Sequence, residues 1–317
     1  MVAPRTIIED PLFFHSFAGV LSILIPEFKT DVRRLVTQLS SQAETLCVPY
    51  EILVLDDASG EHWLELNTSI LQLKNCFIIA NDTNCGRAAT RNKLARKAKY
   101  NYLIFLDADV QIQSPEFLKN YLNLFSEERD QVFYGSCIYP PQKPVDEIYL
   151  LHWMYGTKIE NPNLNIRQKN PYRTFHTVNF AVKNSIILKF PFDENIRNYG
   201  HEDYVWACLL KQHGIAIIHI DNPVVHEGIY STRQFLRNTV SAVRNSIKIH
   251  KSNKGLIQTK LTKLADYIYL LRLHQLCLFL YKKLEKTMIR NLRGRNPNLW
   301  SLQIFKLGIY LRFWSKS

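Results

Sequence analysis

Apolar runs of strand length alternate with helical patterns along the first half of the chain. VLSILIP (20–26) is one such run, and after it Val32, Leu35, Val36 and Leu39 recur at the i, i+3, i+4, i+7 spacing of a single helix face that Asp31 is placed to cap. YEILVLDD (50–57) predicts a second strand followed by a helix in 61–73, and CFIIAND (76–82) a third followed by a helix opening near Gly86. YNYLIFLDAD (100–109) predicts a fourth, Ser114-Pro115-Glu116 starts a helix over 115–126, and QVFYGSCIY (131–139) predicts a fifth strand. Strands apolar on both faces and separated by helices imply an α/β fold with a mostly parallel central sheet flanked by helices.

Ligands of such sheets bind at the carboxyl ends of the strands. Those ends read Pro26-Glu27, Asp56-Asp57, Asn81-Asp82 and Asp107-Ala108-Asp109, a polar and acidic edge. A dinucleotide-binding fold needs a glycine-rich turn after its first strand, and IPEFKTD stands there instead. That class is set aside.

Residues two apart in an extended segment point the same way, so Asp107 and Asp109 present two carboxylates to one side of the edge. Like charges so close call for a cation or a shared proton. In a bland reading, one aspartate caps a turn and the other faces water. At a ligand edge the pair also suits Mg2+ or Mn2+, which take one or two carboxylates together with substrate phosphates.

SILIPEFKTDVRRLV, EILVLDDAS, NCGRAATRNKLARKA, YLIFLDADV and YGHEDYVWACLLKQHG, in this order and spacing, resemble the family 2 glycosyltransferases with the GT-A type fold over about residues 20–228. The resemblance implies a metal-dependent, inverting hexosyl- or N-acetylhexosaminyltransferase that uses a nucleotide-sugar, with UDP expected, and acts in bacterial surface-polysaccharide or lipopolysaccharide assembly. Asp57 matches the carboxylate that contacts the uracil, Asp56 a turn or ribose-edge residue, and Pro26-Glu27-Phe28 the segment under the base. Phe28-Lys29 departs from the family's aromatic followed by Asn. Gly86 permits close chain approach, and Arg87 or Arg91 reaches the base or the phosphates unless it is simply a surface arginine. Asp107, Ala108 and Asp109 correspond to the segment holding ribose and metal, Asp109 being the nearer ligand. His226 in PVVHEG is the histidine that completes the metal set, with His219, inside the apolar run, as competitor. Asp203 of the Glu202-Asp203 pair corresponds to the general base, and Glu202 holds the acceptor or orients its helix. Two acids in a first helical turn also complement the helix dipole with no catalytic purpose. Trp206 is a sugar platform or a core residue, and Asn179 in TVNF a contact to the donor sugar. A retaining transferase shares the DxD and the late histidine, so only the acidic pair separates the two. A non-catalytic, membrane-recruiting module on the same fold has no need of all three features.

Charge divides the chain. Residues 1–230, the expected catalytic domain, carry 22 Lys+Arg against 26 Asp+Glu. Residues 231–317 carry 18 against only Asp266 and Glu285, which predicts a basic, helical C-terminal extension with an anionic partner. LADYIYLLRLHQLCLFLYKKLEK reads as one amphipathic helix, without the run of ~18 apolar residues a spanning helix needs. Packing on the catalytic domain, docking on an anionic leaflet and nucleic-acid binding compete for it; no nucleic-acid motif favours the last, and a docked enzyme suits a lipid-linked saccharide acceptor. The six cysteines form no CxxC pair, and Glu9 and Asp10 interrupt any leader, so a cytoplasmic protein, peripheral on the inner membrane face, is expected.

Overall fold

The computed structural model describes residues 20–125, 130–197, 199–252 and 259–314. Glu9 and Asp10, on which the leader expectation rests, and residue 126, the predicted end of the fourth helix, lie outside them.

The first four apolar runs are strands β1 (Leu21–Glu27), β2 (Tyr50–Asp56), β3 (Cys76–Ala80) and β4 (Tyr102–Leu106), joined by helices α1 (Arg33–Thr45), α2 (Glu61–Asn67) and α3 (Arg87–Lys97). They pair in parallel in the order β3-β2-β1-β4, with Glu27 beside Asp56 in the register. Leu35, Val36, Leu39 and Ala43 of α1 are buried against this sheet. Asp31 stands two residues before the helix, where its Oδ1 accepts the Arg33 amide at 3.0 Å.

Beyond β4 the chain forms β5 (Val110–Gln111), α4 (Phe117–Leu122), β6 (Gln131–Tyr134), β7 (Cys137–Ile138), α5 (Leu150–Tyr155), α6 (Leu164–Lys169), β8 (Asn179–Lys183), α7 (Asn184–Lys189), α8 (Glu202–Gln212), β9 (Ala216–His219) and β10 (Val224–His226). β8 lies antiparallel between β4 and β6, and β9 completes seven strands. The predicted fifth strand, 131–139, is therefore two: Ser136 takes a left-handed φ of 78°, and the chain leaves the large sheet to pair β7 with β10. Asn179 fixes this break, its Nδ2 donating to the carbonyls of Ser136 and Asn222 at 2.8 and 2.9 Å.

Four helices follow: α9 (Thr232–Ser252), α10 (Lys260–Leu270), α11 (His274–Leu292) and α12 (Leu299–Trp314). They share a second apolar cluster, in which Phe235, Val243, Tyr281 and Phe305 join Leu151 of α5. The single amphipathic helix expected over 264–286 is broken. Arg272 adopts φ 58°, and the Leu273 amide reaches back to the Ile268 carbonyl at 3.0 Å, closing α10 with a left-handed cap. Such caps are normally glycine or asparagine, so LLRLH gave no warning of one.

Candidate active site

Asp107 and Asp109 leave the carboxyl end of β4, and β5 then pairs antiparallel with β10, setting His226 opposite Val110. This register brings His226 Nε2 to 3.7 Å from Asp109 Oδ2, beyond hydrogen-bond length. Nδ1 of His226 is buried without a partner, and a Cβ on Gly228 would overlap the Asp109 carboxylate. Ala108 is the buried spacer between the aspartates.

Glu202 and Asp203 open α8 after His201, which holds φ 75°. Asp203 Oδ2 lies 2.9 Å from His176 Nδ1. Burial opposes ionisation of both groups, but their hydrogen bond and mutual attraction prevail. Asp203 is held below the ordinary aspartate range and His176 above its usual 6.5. Glu202 is pushed upward, first by burial and then by the Asp203 charge.

Arg91 runs between the two acidic groups. Its side chain is 1% exposed; Nη2 donates to Asp107 Oδ1 at 2.6 Å, and Nη1 lies 3.8 Å from Glu202 Oε1. It is an internal strut and does not line the cleft, which corrects the expectation that it reaches base or phosphates. Arg87, one helical turn earlier, does face the cleft, 3.9 Å from Glu202 and stacked over Tyr199 at 4.9 Å. Asp107, Asp109, His226, Glu202, Asp203 and Arg87 thus line one cleft of about 340 Å³.

The remaining predicted positions lie elsewhere. Both oxygens of Asp57 are engaged by the loop before α3: Oδ1 accepts from Asn81 Nδ2 and the Cys85 amide, each at 2.8 Å, and Oδ2 from the Gly86 amide at 2.9 Å. Gly86 has φ 85°, and a Cβ there would come to 3.2 Å of the Arg197 carbonyl, so the turn favours glycine. Asp56 makes the turn, its Oδ1 accepting the Ser59 amide at 2.9 Å. Glu27 folds inward onto Thr30 and Ser59, Pro26 is partly buried, and Phe28 is exposed; none of the three borders the cleft. Asn179 is corrected outright. It is fully buried, its Oδ1 accepts from Tyr121 at 2.7 Å, and its amide nitrogen is spent on the two carbonyls, leaving nothing to offer a sugar. Trp206 and His219 are core residues.

Sequence reasoning missed His176 and, among the aromatic residues of the cleft, Tyr199 and Tyr230; the aromatic stretch that begins at Tyr139 was expected to carry acceptor-facing loops. Tyr139 stacks on His226 with ring centres 5.3 Å apart and donates to Glu160 at 2.5 Å, while Tyr199 and Tyr230 complete the wall. Ala242 of α9 also lines it. Among the described residues, no three His, Cys, Asp or Glu side chains converge as a complete metal shell.

A family model described as glycosyl transferase family 2 matches residues 22–195, more than half of the 317 residues. The chain belongs to that family. This family 2 member is 25% identical over 276 residues to a chondroitin synthase of Pasteurella multocida (strain Pm70), covering 78% of this chain and 28% of that protein. A chondroitin synthase of Escherichia coli is 25% identical over 228 residues, covering 61% and 32%. The chain thus spans about a third or less of the length of these relatives. Among solved structures, a mannosyltransferase from Pyrobaculum calidifontis, in complex with GDP-Man and Mn2+, matches with a TM-score of 0.56 at 15% identity, over 99% of this chain and 92% of that one. That likeness is one of fold. The fold is of the GT-A type, with the mostly parallel sheet expected.

Proposed function

We propose that the protein is an inverting glycosyltransferase that moves a sugar from a nucleotide donor, UDP being the expected nucleotide, to a hydroxyl of a saccharide or lipid-linked saccharide. The observation that carries this reading is the single cleft shared by Asp109 and His226 on one side and Asp203 on the other. The chondroitin synthases among the relatives support a saccharide acceptor and surface-polysaccharide assembly as its setting.

Asp109 and His226 would hold a Mg2+ or Mn2+ ion. Asp109 has no lysine or arginine partner among the described residues, and His226 turns Nε2 toward its Oδ2 across a gap too long for a hydrogen bond. Two protein ligands leave room for the diphosphate oxygens such ions accept. When bound, the ion supplies Lewis-acid stabilisation of the departing nucleoside diphosphate. Asp107, neutralised by Arg91, is left to accept from the donor's ribose, and Arg87 supplies positive charge at the cleft.

Direct displacement forms the bond from the acceptor oxygen to the anomeric carbon, breaks the bond from that carbon to phosphate, and releases the acceptor proton. Asp203 receives that proton, and His176 orients the carboxylate that does so. Glu202, buried against Arg87 and Arg91, keeps the start of α8 in register with Asp107. Nucleoside diphosphate release from UDP- and GDP-sugars with Mn2+ or Mg2+ tests the reading. Turnover should disappear with a chelator and fall by about 10²–10⁴-fold in Asp203→Asn; turnover indifferent to the chelator and to both Asp109→Asn and Asp203→Asn would refute it.

A further inference from the structure

Amphipathic helices normally turn apolar residues to the core and polar residues to water. α10 and α11 do only half of this. Their inner faces are buried as expected, through Thr262 and Ala265 of α10 and Tyr281, Met288 and Leu292 of α11. Their outer faces are apolar as well. On α10, Leu264 is 48% exposed, Tyr267 64% and Leu270 77%, and Leu271 follows at 63%. On α11, Leu276, Phe279, Leu280 and Leu284, spaced as one helix stripe, are 47–55% exposed. The left-handed cap at Arg272 joins the two faces, so large apolar side chains run from Leu264 around a corner to Leu284. Isolated exposed leucines need no explanation, but a continuous patch of this kind marks an interaction surface.

Charge identifies what the surface meets. Lys263, Lys282, Lys283, Lys286 and Arg290 are all exposed along the same two helices, and so is Arg272 in the cap between them. The two acids of the region are drawn toward neighbours: Glu285 is paired with Arg312 at 2.7 Å and Asp266 faces His250 at 3.5 Å. A second copy docked on this face would set like charges against each other. A nucleic acid would satisfy the charges and strand the leucines. An anionic lipid surface satisfies both, because apolar side chains enter the acyl boundary while lysine and arginine stems reach back to phosphate. No helix among the described residues is long and apolar enough to cross a bilayer.

We propose that the α10–α11 corner docks the protein on an anionic lipid surface, with Tyr267, Leu270, Leu271, Leu276 and Phe279 inserted and the surrounding lysines and arginines at the headgroups. The dock is independent of whether the cleft transfers sugar.

The test is flotation of the full chain with phosphatidylcholine vesicles, with and without phosphatidylglycerol. The wild type should float with the anionic vesicles, at least tenfold more than with the zwitterionic ones, and lose most of that binding at about 1 M salt, where the screening length is about 3 Å. The double variant Leu270→Glu/Leu271→Glu should lose binding even at low salt while keeping the wild-type circular dichroism and melting temperature, since both sites are solvent-exposed. Lys282→Gln/Lys283→Gln/Lys286→Gln should weaken binding and flatten its salt dependence. Folded wild type that stays with the unbound fraction would overturn the proposal, as would binding that survives the double glutamate change. Sedimentation of the vesicle-free protein covers the remaining occupant: a dimer abolished by the same double change, without lipid binding, would assign the face to self-association and overturn the lipid dock.

Discussion

An aspartate bonded to an imidazole is a different base from one in water. While His176 carries its proton it pairs with Asp203 and lowers the carboxylate's appetite for another; once His176 is neutral, the pair accepts a proton readily. Because Asp203 holds the His176 pKa above 6.5, the rate should rise with pH through an inflection on the alkaline side of that value. Glu160, Glu202, His201, His219 and Tyr134 are further titratable groups that interact with the pair. In His176→Gln the hydrogen bond to Asp203 can persist without the titration, so kcat should fall, KM should change little and the inflection should vanish. An unchanged kcat–pH profile in that variant would remove His176 from the proton path. At this scale the sequence was uneven. The meeting of Asp107, Asp109, Asp203 and His226 at one cleft was legible, because strand ends and motif order bring them to the same edge. His176 was not, since nothing in FHTVNF signals that α8 returns 27 residues later to bond it. Asn179 and Arg91 misled for a shared reason: a polar side chain on an apolar element looks available, whereas both are consumed inside the protein, one by carbonyls and one by carboxylates.

Among elements, the carboxyl end of β1 carries a buried acid that ordinary strand reasoning treats as a ligand contact. Burial, opposed by the Thr30 amide and reinforced by neighbouring Asp56, pushes the Glu27 carboxyl up to about 7. Between its ordinary 4.5 and about 7, the folded chain therefore holds a proton that the unfolded chain releases, and this group's contribution to stability falls as pH rises through that window. Glu27→Gln should gain in melting temperature over the wild type between about pH 5 and about pH 8; a difference that stays constant with pH would show that Glu27 is not the titrating group. The first four strands were readable because each is a run of apolar residues bounded by turn chemistry. The fifth was not, because the chain crosses between two sheets within QVFYGSCIY, and the cause of that crossing, Asn179, lies more than forty residues downstream. The α10–α11 break was equally hidden, since arginine occupies the left-handed position.

On the scale of the whole molecule, the basic C-terminal residues are more than an appendage. Leu151 of α5 is fully buried in the cluster built by α9, α11 and α12, and Ala242 of α9 walls the cleft. A chain ending at residue 230 should lose soluble yield, by uncovering Leu151, and should lose turnover in whatever soluble fraction remains. Full activity of that fragment would separate the helices from catalysis. The charge asymmetry raised the expectation of an anionic partner, but the exposed apolar corner was not legible, because it depends on which face of each helix the second cluster takes. With α9 forming part of the cleft and its helical neighbours carrying the corner, one packed body links the two. An enzyme resting on that corner would hold its cleft at a fixed height and tilt above the lipid. A tethered acceptor would then be found by diffusion in a plane, and acceptors whose reactive hydroxyl lies too near or too far from the bilayer would be excluded by reach alone.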